Sequence, residues 1–99
     1  MRTTTVVFKF DSEPLQTLST KVTNFRDVDK PPLINFCTSQ GISSDNLVSE
    51  DVDHDACLRT VVRSWPDLAT ATGWLEVINT TPRISEYPGV VISTQVDPE

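Results

Sequence analysis

Two stretches of this chain follow one plan, and that repeat limits the possible folds more than any other feature. "VFKFDSEPLQTL" and "RTVVRSWPDLATA" each run from an alternating segment, through Ser-x-Pro, into a helical stripe. Aligning the two Ser-x-Pro turns carries Val6, Phe8 and Phe10 onto Leu58, Thr60 and Val62. With one residue inserted, Leu15, Leu18, Val22 and Phe25 fall on Leu68, Ala71, Leu75 and Ile78. A period of two followed by a period near 3.6 means a strand and then an amphipathic helix. Such a pair buries its apolar sides only against a second layer, so two copies favour a sheet with helices packed on it.

The remaining elements fit around these two units. Thr3–Phe10 alternates with Val6, Phe8 and Phe10 on one face and Thr5, Val7 and Lys9 on the other. Asp11-Ser12-Glu13-Pro14 reads as a helix start, with a capping side chain and an early Pro. The stripe ends at Arg26-Asp27, and Asp29-Lys30-Pro31-Pro32 opens a second, short helix over 30–41, closed by Gly41 in the left-handed region. Leu47–Val52 and Ala56–Ser64 read as a strand hairpin. In its second arm Leu58, Thr60 and Val62 are expected to face the helices, and Arg59, Val61 and Arg63 to face away. Ser64-Trp65-Pro66-Asp67 has capping-box spacing ahead of the stripe Leu68, Ala71, Leu75, Ile78. Gly73 beside Trp74 suits a close helix contact, and Thr80-Thr81-Pro82 ends the helix. The last strand is Val90–Val96, with Val90, Ile92, Thr94 and Val96 on one side.

The order is β-α-β-β-α-β: one α+β domain over residues 1–99, with one antiparallel sheet, helices on one face, and an extra short helix after the first helix. This element order resembles the ferredoxin-like sandwich, and within it the small dimeric α+β barrel proteins, which pair two such sheets face to face. The resemblance rests on element order alone and implies a homodimer more than any chemistry.

Composition removes several functions. The formal net charge of −6 opposes general nucleic-acid binding and docking on an anionic membrane, both of which need surplus Lys and Arg. No apolar run approaches the roughly 18 residues of a membrane span, and the N-terminal segment lacks a signal-peptide pattern, so a cytoplasmic protein is expected. Cys37 and Cys57 have no CxxC spacing and are expected to be reduced and mostly buried. Three scattered glycines make no phosphate loop. The turn after the first strand lacks the glycines and Arg of an acylphosphatase, and the cysteine pair of a metal-chaperone domain.

Two places carry enough polar chemistry to weigh as sites. "SEDVDHDA" gathers Glu50, Asp51, Asp53, His54 and Asp55 at the expected hairpin tip. Asp51, Asp53 and Asp55 match the first ligand positions of a calcium loop. Ala56 then stands where that loop needs Gly, and Val62 where it needs Glu. A lone His with no second partner makes neither a zinc site nor a nucleophile pair. The stretch therefore reads as a polar turn, and no metal, cofactor or catalytic residue is assigned. The second place is the sheet face turned from the helices, where Lys9, Arg59, Val61, Arg63 and Trp65 are expected to form a cationic patch with an apolar centre. Such a patch suits a ligand or an interface. RNA-binding domains of this topology stack bases on aromatics at these strands, and here Val, Lys and Arg take those positions. The chain thus reads as a small acidic interaction or regulatory protein, non-enzymatic and homodimeric through its open sheet face. The alternative is a dimeric α+β barrel enzyme, or a binder for a small anionic or aromatic ligand.

Overall fold

The computed structural model describes residues 2–10, 18–53, 55–87 and 89–97, with the backbone only for 18–26 and 29. Its elements are β1 (Arg2–Phe10), α1 (Leu18–Gln40), β2 (Leu47–Asp53), β3 (Leu58–Trp65), α2 (Leu68–Thr80), α3 (Pro82–Ser85) and β4 (Val90–Val96). The four strands form one antiparallel sheet in the order β2-β3-β1-β4. This is the split βαβ order expected from the sequence. The helix start at Asp11–Pro14, Leu15 and His54 lie outside the described residues, as do the side chains of Leu18, Val22 and Phe25.

The register assigns each strand its faces. In β1, Thr4, Val6, Phe8 and Phe10 are buried toward the helices, and Val90, Ile92, Thr94 and Val96 of β4 lie beside them, as their alternation predicts. β3 departs from expectation by one residue. Val61 is the cross-strand partner of Val6 and Arg59 that of Phe8, so Arg59, Val61, Arg63 and Trp65 share the helix side. Leu58, Thr60, Val62 and Ser64 face the other way. A one-residue slip in strand phase moves every side chain to the opposite face. Trp65 decides the phase: the largest side chain of the strand, it is 1% exposed, and its indole Nε1 donates to Thr4 Oγ1 at 2.9 Å. The repeat is real in element order, but the residues equivalent to Val6, Phe8 and Phe10 are Val61, Arg63 and Trp65.

The helices also depart in detail. The expected break at Arg26-Asp27 is not made, and there is no separate short helix after the first. α1 runs unbroken through Pro31 and Pro32. The two prolines remove the donors that would meet the carbonyls of Asp27 and Val28. Val28, Leu33, Phe36 and Cys37 pack on the core across that point, and tertiary packing outweighs the local defect. Gly41 (φ +68°) ends α1 as expected: its N–H donates to Thr38 O, and that of Ile42 to Cys37 O, a Schellman closure. The short helix is instead α3, which starts at Pro82 just after α2 ends. α2 is capped by Asp67, not Ser64, because Ser64 is still in β3. The Asp67 carboxylate accepts from the Thr70 N–H at 2.8 Å, which holds its pKa below the ordinary value. Ala71, Trp74, Leu75 and Ile78 bury the inner side of α2, while Leu68 is left exposed. Phe36, Trp65 and Trp74 meet as a three-ring cluster with centroids 5.7–6.1 Å apart, over which Gly73 passes closely.

Candidate functional site

The five residues picked from sequence do not form one patch. Lys9 is exposed on the open face, whereas Arg59, Val61, Arg63 and Trp65 point into the layer between sheet and helices. Val61 and Trp65 are core residues. Arg59 is a buried cation whose Nε lies 2.7 Å from Glu50 Oε2, and its guanidinium sits 5.1 Å from the centroid of the Phe8 ring. Glu50 reaches it because β2 and β3 pair with Glu50 opposite Val61, one row from Arg59, on the same sheet face. Arg63 is half-buried, and its Nη1 donates to Asn46 Oδ1 at 3.2 Å. The Asn46 Nδ2 beside it is buried with no hydrogen-bond partner among the described residues. Arg63 also acts on Cys37: burial pushes that thiol up, and the guanidinium pulls it partly back.

These two arginines floor a cleft of about 430 Å³ between the second half of α1 and the β2 edge. Lys30, Leu33 and Ile34 form one wall, Ser44, Asp45 and Leu47 the other, and Glu50 lies beside Arg59 at the base. Sequence reasoning missed Lys30, Asn46 and the apolar rim of Ile34 and Leu47. The available signal was Glu50, a carboxylate at the strand position able to meet Arg59 across the hairpin.

No described helix covers the opposite face of the sheet. Its cross-strand rows run Asp53–Leu58–Lys9–Val91, Asp51–Thr60–Val7–Ser93 and Ser49–Val62–Thr5–Gln95. Val91 is 66% exposed. At one end Asp97 lies over β1, accepting from Thr3 Oγ1 at 3.0 Å and Thr5 Oγ1 at 2.7 Å.

At the β2–β3 hairpin tip, Asp53 Oδ1 accepts from the N–H groups of Asp55 and Ala56, both at 3.0 Å, so this carboxylate shapes the turn. Among the described residues no three His, Cys, Asp or Glu side chains gather as metal ligands. Neither Cys37, which is buried, nor Cys57, which is half-buried, is in a disulfide. No described helix is long and apolar enough to cross a membrane.

No protein-family model and no curated protein sequence matches the chain. Among solved structures it is similar to a dimeric ferredoxin-like protein from an uncultured marine organism. The similarity covers 98% of this chain and 91% of that one, at 12% identity and a TM-score of 0.58. The fold of this chain is therefore ferredoxin-like.

Proposed function

We propose that this chain is a small acidic interaction or regulatory protein that works as a homodimer through its open sheet face. The observation that carries the reading is the composition of that face. Val7, Leu58, Val62 and Val91 form an apolar centre with no described helix over it, and a sheet face of this kind is stabilised by cover. Charge favours a second copy as that cover. Lys9 stands in the central strand, and Asp51 and Asp53 stand on the β2 edge of the same face. A two-fold interface must be self-complementary, and a face bearing both signs meets that requirement. The ferredoxin-like protein of similar structure is dimeric, which agrees with this reading.

Analytical ultracentrifugation of the wild type against Val62→Asp tests the proposal. Val62 is the right position, since it lies on the open face, whereas an Asp at Val61 would enter the core. The wild type is expected to sediment as a dimer, and Val62→Asp as a monomer with an unchanged far-UV circular dichroism spectrum. A wild type that stays monomeric across the accessible concentration range would overturn it.

A further inference from the structure

We infer that the cleft between α1 and the β2 edge binds a small carboxylate with an apolar body. Its volume of about 430 Å³ suits a small ligand, since such pockets span roughly 300–1,000 Å³. Among the described residues its lining carries three cations, Lys30, Arg59 and Arg63, and two carboxylates, Asp45 and Glu50, on a chain of net charge −6. A planar guanidinium matches a carboxylate in shape, and Lys30 on the wall adds a second cation.

A closed apolar layer does not require this charge. Two arginines on the helix side of a central strand must be desolvated, and apolar side chains of similar volume close such a layer as well or better. Their retention at the floor of an open cleft fits a charge-reading role. The cleft also supplies an apolar seat. Leu33 is buried at its wall, while Ile34 and Leu47 remain 41% and 50% exposed at its mouth. A carboxylate lodged between Lys30 and Arg63 would lay its hydrocarbon body along these three residues. Arg59, fixed by Glu50 and by the Phe8 ring, closes the base of the cleft.

Octanoate is the probe, with acetate (the charge without the tail) and 1-octanol (the tail without the charge) as its two halves. Titration of the full chain is followed by calorimetry and by backbone amide chemical shifts. Octanoate is expected to move the amides of Lys30, Ile34, Ser44 and Leu47, and to bind at least about tenfold more tightly than either half. Arg63→Met and Lys30→Met are each expected to weaken it by a similar factor, while Arg83→Met, on α3, leaves it unchanged. Lys30 is exposed, so Lys30→Met keeps the test decisive should Arg63→Met fold poorly. Three results would overturn the inference: octanol binding as well as octanoate, undiminished binding to Lys30→Met, or shifts confined to Val7, Val62 and Val91 on the dimer face. The cleft and that face lie on opposite sides of the sheet, so this outcome is independent of the sedimentation result.

Discussion

The pairing of Arg59 with Glu50 sets a buried cation beneath the helices. Arg59 is 3% exposed at its side chain and Glu50 20%, so the pair is largely dry at one end and reachable by water at the other. Removing one partner of a buried pair strands a charge, at about 3–5 kcal/mol when burial is complete. Water at Glu50 reduces that cost, and Glu50→Ala is expected to lose about 2 kcal/mol in urea unfolding. The double variant Glu50→Leu, Arg59→Met removes both charges and keeps the volume, and should return to within about 1 kcal/mol of wild type. Equal losses in the single and double variants would show that contacts other than the ion pair hold Arg59 in place. This pair is also where the sequence misled. Alternation in Leu58–Trp65 offers two faces of similar apolar weight, one ending in Trp65 and one carrying Leu58 and Val62. A rule that places charge outside picks the wrong one. What reverses it is non-local: a carboxylate nine positions earlier, an aromatic ring from β1, and a Thr hydroxyl able to take the indole N–H.

Elements with one dominant apolar face were legible. β4 and the inner side of α2 lie as their periodicity requires, because no competing pattern existed there. α1 was misread at its middle because Pro31-Pro32 is a strong local stop signal, and only packing from both sides carries a helix through it. Gly73 shows local and tertiary preferences opposed within a single residue. An Ala in a helix interior gains about 1 kcal/mol over Gly. A Cβ at Gly73, however, would lie 3.0 Å from Phe36 Cζ and 3.2 Å from Cε1. The Phe36 ring is set edge-on to Trp65 and tilted against Trp74, so its retreat from Gly73 disturbs those contacts. Overpacking of this kind costs about 1–3 kcal/mol, so Gly73→Ala is expected to lower stability by about 1 kcal/mol despite its better propensity. Chemical denaturation decides it, and a gain in stability would mean that the three-ring cluster is looser than its geometry implies.

The described chain measures 41 × 25 × 20 Å, and the shortest dimension fits one sheet layer and one helix layer, each about 10 Å thick. Apart from Asp97 at one end, nothing within the described chain therefore covers the second face of the sheet. If a second copy covers it, folding and association become one equilibrium, and the melting temperature must depend on protein concentration. Unfolding of a dimer to two free chains gains about 1.4 kcal/mol of stability for each tenfold rise in concentration. The unfolding entropy is about 2 cal/mol/K per residue, so for two 99-residue chains this corresponds to about 3–4 °C per tenfold. The wild type is expected to show that slope in calorimetric scans while the dimer is the populated state. Val62→Asp, monomeric throughout, should melt lower and with no slope. Both halves of the comparison matter, since a charge on an exposed strand can lower a melting temperature without touching any interface. Only loss of the concentration dependence, together with the lower melting temperature, assigns the stabilisation to a second copy on the open face. A flat wild-type melting temperature over the same range would place that face in solvent.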